Sequence, residues 1–302
     1  MTRPAHGGVW PSARTRLAGV LGDPVRHSLS PALHNAAFDL LGLDWAYLAF
    51  EVPAGGATAA MAAVRALGVE GLSVTMPHKR AVAALVDRLS PTAAALGAVN
   101  TVVRQGDALV GESTDGAGFL DALRFDEGFD PTDKVCLVIG AGGSARAVVH
   151  VLGLAGAAEI VVVNRSGEAA EAAASLAGSR GRTGHIAEVR TADLVVNATP
   201  IGMALASTAA IDRQARPEKA PAIPLDPDLV RPGQLVVDLV YHPPITPLVQ
   251  EARARGVAAC NGVGMLVHQA AHAFKLWTGH EAPKGAMSAA ALAALAHADD
   301  VD

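Results

Sequence analysis

Cysteine is nearly missing from this chain: two residues in 302, Cys136 and Cys260. Two thiols offer neither a disulfide framework nor a metal spacing, which fits a reducing compartment. Both read as buried small hydrophobes. Aromatic residues make up only 4%, while hydrophobic residues reach 51%, dominated by Ala, Val and Leu, so substantial cores are within reach. Basic residues are not in excess. The net charge of −5 argues against a nucleic-acid binder. Runs of like charge are missing apart from the acidic end, Asp299, Asp300 and Asp302, which reads as a solvated tail. No apolar run reaches the ~18 residues of a membrane span. The start, Met1-Thr-Arg-Pro-Ala-His-Gly-Gly, lacks the apolar stretch of a signal peptide. The expectation is a soluble, cytoplasmic protein without membrane or nucleic-acid partners. No serine sits in a G-x-S-x-G elbow, so hydrolase chemistry has no nucleophile.

What is present is alternation. Arg16–Gly22, Trp45–Phe50 and Gly71–Thr75 read as strands, with helices over 31–41, 57–67 and 79–89 between and after them. A hairpin follows, 99–104 with 108–112 across Gly106-Asp107. A loop rich in Gly, Asp and Pro spans 125–133. A second alternating series then runs strand 134–139, helix 144–154, strand 159–164, helix 168–177 and strands 194–197 and 235–240, a doubly wound pattern. Residues 204–227 form an Ala/Pro-rich insertion, read as disordered or as a mobile flap. Helices over 264–278 and 284–298 close the chain. The fold class is α/β, with domains at 1–117 and 118–263, and 264–302 following the second.

The segment Val135–Ile139 runs straight into Gly140-Ala141-Gly142-Gly143-Ser144-Ala145. That is the G-x-G-x-x-A form of a dinucleotide turn, with the required strand before it and helix after it. Gly140 permits the turn, Gly142 lets the backbone approach a pyrophosphate, and small Ala145 lets helix and strand pack closely. Helix N–H groups then face the phosphates. The next strand ends at Asn164-Arg165-Ser166, where an NAD enzyme usually places an acidic residue. A guanidinium suits the 2′-phosphate of NADP instead. Arg146, in the first helical turn, is either a phosphate contact or a solvated arginine.

Two short segments in the first half carry chemistry. Gly22-Asp-Pro-Val-Arg-His-Ser28-Leu-Ser30-Pro31 precedes a helix, with Ser30 read as N-cap and Pro31 as its first residue. Ser28 is not needed as a cap, and two hydroxyls beside a helix start suit a carboxylate. Lys79 follows strand 71–75 and Pro77, in the first turn of a helix. There the helix dipole disfavours an ammonium and a carboxylate such as Asp115, in Ser113-Thr114-Asp115-Gly116, favours it. Asp115 either orients Lys79 or shares its proton, and the pair could exchange a proton with an alcohol or ketone.

Eight motifs in order resemble the shikimate dehydrogenase family. They are Ser28-Leu-Ser30-Pro31-x-x-His34-Asn35, Val74-Thr75-x-Pro77-x-Lys79, Gly97-Ala-Val-Asn100-Thr101 and Thr114-Asp115-Gly116. The others are Gly140-Ala-Gly-Gly-x-Ala-Arg146, Asn197-Ala-Thr-Pro-Ile-Gly-Met203, Asp238-Leu-Val-Tyr241-x-Pro243 and Met265-Leu-Val-x-Gln269-Ala-Ala. They span nearly the whole chain. The resemblance implies an N-terminal mixed-sheet substrate domain and a Rossmann-like NADP domain, with the last helices returning to the first. It implies NADPH-dependent reduction of 3-dehydroshikimate to shikimate, in aromatic amino-acid biosynthesis, by a monomer or homodimer. Lys79 and Asp115 would be the catalytic pair. Ser28 and Ser30 would hold the substrate carboxylate, and Thr75, Asn100, Asp115 and Gln269 its hydroxyls, with Tyr241 beside it. Gly140, Ala141, Gly142, Gly143, Ser144, Ala145, Asn164, Arg165, Ser166, Thr199, Met203, Val240 and Gly262 would line the cofactor.

Two positions depart from the family. Ser73 and Ser113 stand where Asn is usual, shortening a hydrogen-bonding group at each. Quinate is therefore the competing substrate, and a non-enzymatic NADP-binding sensor is the third reading. His268 and His272 stand four apart on a helix, but Gln269 replaces the Glu of H-E-x-x-H and no third ligand is evident, so no metal is expected.

Overall fold

A computed structural model describes residues 10–203 and 223–299. Most of the 204–227 insertion and the last acidic residues lie outside the described residues, as do residues 1–9 of the N-terminal stretch. The chain divides into two compact units, Met1–Gly118 with Leu266–Val301, and Phe119–Met265.

The first unit opens with β1 (Arg16–Gly22), α1 (Ser30–Leu40), β2 (Trp45–Glu51), α2 (Ala57–Ala66) and β3 (Gly71–Val74). It continues through α3 (Lys79–Ala83), β4 (Arg88–Leu89), α4 (Pro91–Leu96), β5 (Thr101–Gln105), β6 (Ala108–Glu112) and α5 (Asp115–Asp121). The six strands make a mixed sheet, β2-β1-β3-β5-β6-β4. β1 pairs in parallel with β2 and β3, whereas β3–β5 and β5–β6 are antiparallel. One face carries an aliphatic core of Leu21, Met61, Leu72, Val74, Val82 and Val102.

The sequence reading runs a helix over 79–89, but α3 ends at Ala83. Asp87 N–H donates to the Leu109 carbonyl, and Arg88–Leu89 then pairs with Val110–Gly111. Strand pairing wins over helical continuation because Leu85 and Val86 can pack on the core from a turn. The short helix α4 was not expected. Its signal is Ser90-Pro91: the Ser90 hydroxyl accepts from Ala93 N–H, with Pro91 at the first helical position.

The second unit holds β7 (Val135–Ile139), α6 (Gly143–Leu154), β8 (Glu159–Val163), α7 (Gly167–Ala174), β9 (Gly181–Thr183) and β10 (Leu194–Asn197). β11 (Leu235–Asp238), α8 (Pro247–Ala254) and β12 (Ala258–Cys260) complete it. All pairings are parallel, in the order β12-β11-β10-β7-β8-β9. Counted within the unit this is 3-2-1-4-5-6 read from the β9 edge, the order that places a crevice beyond β7 and β10. The strands alternate with period two between two cores. Cys136, Val138, Ile160, Val162 and Val196 face one, and Leu137, Ile139, Val161, Val195 and Val236 the other. Strand β9, helix α8 and strand β12 went unread, being short and, in β12, alanine-rich.

Helices α9 (Val263–Thr278) and α10 (Lys284–Asp299) end the described chain. From Leu266 onward they belong to the first unit. There α10 lies on α1, and Trp277 Nε1–H donates 3.0 Å to the Val102 carbonyl. The scarce aromatics gather on this sheet face. Phe38, Tyr47, Phe274 and Trp277 surround His34, and Trp45 stacks on Phe38. Fully burying a ring such as Phe38 or Phe274 contributes about 1.5–3 kcal/mol. Among the described residues no helix is long and apolar enough to cross a membrane.

Candidate active site

In the first unit, the ends of three segments bring Lys79 and Asp115 together. Lys79 opens α3, and its carbonyl is pinned by Val99 N–H at 2.9 Å. Asp115 opens α5. Lys79 Nζ donates 2.6 Å to Asp115 Oδ2, with the two side chains 19% and 10% exposed. The pair is thus largely shielded but retains an open side. A five-residue helix carries little of the macrodipole, so Asp115 is the dominant electrostatic partner of Lys79.

Behind the pair stands a closed polar network. Asn100 Nδ2 donates 2.6 Å to Asp115 Oδ1 and 3.0 Å to Thr114 Oγ1. Asn100 Oδ1 accepts from Thr114 N–H at 2.8 Å and from Thr101 Oγ1 at 2.9 Å. A backbone N–H can only donate, so Thr114 fixes which way the Asn100 amide points. Both amide hydrogens and both carbonyl lone pairs are engaged. Asn100, Thr101 and Thr114 are all buried.

The serine motif differs from its sequence reading. The helix begins at Ser30 itself, Leu29 occupies the cap position with helical dihedrals, and no side chain caps the end. The Ser30 hydroxyl is therefore not spent on capping. Instead Ser28 Oγ accepts from Ser30 N–H at 3.3 Å, so Ser28 has the backbone role not assigned to it. Thr75 follows β3 directly and its N–H donates to the Leu21 carbonyl. Gln269, half-buried on α9, donates from Nε2 to the Leu266 carbonyl at 2.9 Å. Gly118 lets α5 lie directly against the Gln269 backbone, where a Cβ would not fit. Two residues without an assigned role matter here. Asn35 pairs its amide with both backbone groups of Tyr47 at 2.9 Å, and buried His78 bonds the Val52 carbonyl at 2.7 Å.

In the second unit, β7 ends at Gly140, whose φ of +113° suits glycine and where a Cβ would lie 2.9 Å from the Ala198 carbonyl oxygen. Gly142 is different: its φ of −74° and ψ of −173° suit any residue, and a Cβ there would meet nothing within 4 Å. Open space rather than the fold accounts for glycine at 142, which is what the approach of a pyrophosphate requires. Gly142 caps α6 without a side-chain bond, leaving the first-turn N–H groups of Gly143, Ser144 and Ala145 to an anion. Ala141 is half-buried against the core, and Ala145 is fully buried.

The end of β8 divides its residues between roles. Ser166 Oγ accepts from Ala169 N–H as the cap of α7, and Asn164 Nδ2 donates to the Ser166 carbonyl at 3.1 Å. Arg165 is exposed and among the described residues makes no ion pair, so its guanidinium is available. These features fit a dinucleotide carrying a 2′-phosphate.

The loop after β10 folds on Asn197. Its Oδ1 accepts from Thr199 N–H (3.0 Å) and Oγ1 (2.7 Å), and its Nδ2 donates to Asp238 Oδ1 (2.8 Å) and the Ile201 carbonyl (3.2 Å). Met203 N–H closes a turn on the Pro200 carbonyl. Asp238 also accepts from Val240 N–H at 3.1 Å and Thr246 Oγ1 at 2.7 Å. Burial raises the Asp238 carboxyl above its ordinary range, against the pull of these three donors. Thr246 simultaneously caps α8, in a Thr-Pro signature that repeats the grammar of Ser90-Pro91. Val240 is buried, and Gly262 is packed on the Leu239 carbonyl, where a Cβ would collide. Tyr241 is half-exposed at its surface, but burial of its phenol raises it above its ordinary value. Among the described residues no group of three His, Cys, Asp or Glu could hold a metal ion.

Nearly the whole chain matches known proteins. Residues 20–102 match the shikimate dehydrogenase substrate binding domain, 125–252 the shikimate / quinate 5-dehydrogenase model, and 262–292 the shikimate 5'-dehydrogenase C-terminal domain. A shikimate dehydrogenase (NADP(+)) of Moorella thermoacetica is 46% identical, covering 91% of this chain and 92% of its own. One of Citrifermentans bemidjiense is 44% identical, with 94% and 97% covered. The crystal structure of shikimate 5-dehydrogenase from Thermus thermophilus, in complex with NADP(H) and shikimate, is 38% identical with a TM-score of 0.82, covering 93% and 100%. The chain belongs to the shikimate dehydrogenase family.

Proposed function

We propose that this chain catalyses the reversible NADPH-dependent reduction of 3-dehydroshikimate to shikimate, serving aromatic amino-acid biosynthesis in the cytoplasm. The observation that carries the reading is the shielded Lys79–Asp115 pair at 2.6 Å, backed by an Asn100 amide whose donors and acceptor are all engaged. When bound, NADPH supplies the hydride. Lys79, as the ammonium, donates a proton to the substrate carbonyl oxygen, so that the ketone becomes the secondary alcohol. In the reverse direction the amine takes the hydroxyl proton. Asp115 holds Lys79 in place and offers its open side to a substrate hydroxyl. Asn100 orients Asp115, and contact of its own amide with substrate would exchange one of its four existing bonds. Ser28 and Ser30 hold the carboxylate, with Thr75 and Gln269 serving the hydroxyls.

Residues 1–117 with 264–302 form the substrate domain, and 118–263 bind the dinucleotide through Gly140–Ala145 and Arg165. The partners are these two small molecules, in a monomer or homodimer. The test is the initial rate of shikimate and of quinate oxidation, each with NADP and with NAD, followed by reduced-cofactor absorbance. Preference for shikimate with NADP is the expected result. Preference for quinate or NAD would make Ser73 and Ser113 the first positions to revert to Asn, and protein that binds NADP without turnover would be a sensor.

A further inference from the structure

Thr101 is a polar residue in a place where the strand has no use for one. It stands in β5, in register with Ser73 of β3 on one side and Glu112 of β6 on the other, and it is fully buried. The next two residues of β5 are Val102 and Val103, both buried. Valine has the shape of threonine, suits a strand as well, and carries no hydroxyl to desolvate. Thr114 repeats the case just before α5. It is buried, and its carbonyl accepts a helical bond from Gly118 N–H at 2.9 Å. Packing accounts for neither hydroxyl.

Both hydroxyls belong to one closed circuit. Asn100 is its third member, with its backbone pinned by Val74 N–H at 2.7 Å and by the Glu112 carbonyl at 3.1 Å. Thr114 N–H fixes the amide, so Asn100 Nδ2 donates to Thr114 Oγ1 at 3.0 Å. A hydroxyl that accepts still has its own proton to place. Thr101 Oγ1 lies 3.3 Å away. Asn100 Oδ1 lies at the same distance, but it already accepts from Thr114 N–H at 2.8 Å and from Thr101 Oγ1 at 2.9 Å. The Thr114 proton therefore goes to Thr101, and the Thr101 proton returns to the amide oxygen. Asn100, Thr114 and Thr101 thus form a hydrogen-bonded ring in which every bond points the same way. Bonds in such a chain polarise one another, so an amide that receives at its oxygen is a stronger donor at its nitrogen. The remaining N–H of that amide is aimed at Asp115 Oδ1, 2.6 Å away.

We propose that Thr101 and Thr114 are positioning residues for the proton-transfer pair: the ring they close with Asn100 locks the amide, which holds the Asp115 carboxylate at the angle that keeps Lys79 on its other oxygen. The proposal rests on the reading that Lys79 and Asp115 carry the proton transfer. Neither hydroxyl touches substrate, since both are buried behind the pair. They act on the reaction through the Asn100 amide and then the Asp115 carboxylate.

The experiment compares wild type, Thr101→Val, Thr101→Ser, Thr114→Val and the double valine variant in shikimate oxidation. It measures kcat, KM for shikimate and for NADP, the solvent deuterium isotope effect on kcat, and Tm. Thr101→Val and Thr114→Val are each expected to lower kcat about tenfold, with KM for NADP within about twofold, because a displaced proton-transfer group costs rate rather than cofactor affinity. The isotope effect should rise in both as proton transfer slows. Thr101→Ser keeps the hydroxyl and should retain kcat within about twofold. The double variant should be no slower than the slower single, since one break opens the whole ring. Unchanged kcat and isotope effect in both valine variants overturn the proposal. So does a Thr101→Ser loss as deep as that of Thr101→Val, which would make the methyl and its packing responsible, or losses that multiply in the double variant. Should one valine variant fail to fold, the other carries the comparison, with Thr101→Ser or Thr114→Ser as its rescue. Wild type inactive on shikimate would instead overturn the functional reading, and the proposal with it.

Discussion

Each unit contains an aspartate that accepts a hydrogen bond from an asparagine amide, and the two do different work. Asp115 takes Asn100 on one oxygen and Lys79 on the other, and the lysine side chain is 19% exposed. Asp238 takes Asn197 on one oxygen and the Thr246 hydroxyl on the other, and is fully buried. A neutral hydroxyl in a closed site can only hold the chain in place, here the turns after β10 and β11. A charged amine with an open side can pass a proton outward. On the proposed function, the same carboxylate–amide unit is architecture in one place and chemistry in the other, and what decides is the second partner and its access to solvent.

The largest effect expected from breaking this contrast is at Lys79. Lys79→Ala should lower kcat about 10³-fold, within the range of a lost general acid, while KM for NADP stays put. Unchanged turnover would remove the distinction altogether. Next comes Asp238→Ala, which strands the Asn197 amide, the Thr246 hydroxyl and Val240 N–H. A stability loss of about 3 kcal/mol is expected in denaturant unfolding, with KM for shikimate unaltered in the protein that folds. If activity fell while stability held, Asp238 would belong to the chemistry after all.

Arg165→Ala sharpens the cofactor side. KM for NADP should rise about tenfold and KM for NAD should not move, as expected for a lost charged contact to the 2′-phosphate. Equal changes with both dinucleotides would assign Arg165 elsewhere. The smallest effect concerns an exposed carboxylate without a buried network. The Arg65 guanidinium, then Leu109 N–H, holds Asp87 below the usual carboxylate range. Its folded value is depressed, so the stability it contributes is present above the unfolded value and lost as pH falls through the folded one. Asp87→Asn should flatten the acid limb of a Tm-against-pH curve slightly and leave neutral pH nearly untouched. An unaltered acid limb would show the pair to be energetically silent.

Much of this contrast is legible in the residues. The Gly140–Ala145 turn carries its own strand and helix, and Lys79 and Asp115 stand in segments that mark element starts. Long periodic stretches such as α1 and α6 fall within a residue or so of their sequence bounds. What sequence hides is the second partner. Thr246 caps a helix absent from the sequence reading, and only the fold shows it donating to Asp238 as well. Ser30 looks like a cap, and Leu29 in the helical region displaces it. The 79–89 helix fails because pairing with β6 is a long-range event that local apolar spacing does not encode. Hydrogen-bond saturation of Asn100 is equally invisible, since it depends on residues from two loops meeting.

The aromatic cluster around His34 has a consequence for how the molecule can be watched. Trp10, Trp45 and Trp277 are the chain's complete set of tryptophans, and none falls within Phe119–Met265. Intrinsic emission excited through indole therefore reports on one unit alone, while calorimetry senses both. Comparing the two signals during thermal or chemical unfolding separates the melting of the first unit from that of the second, with no label and no mutation.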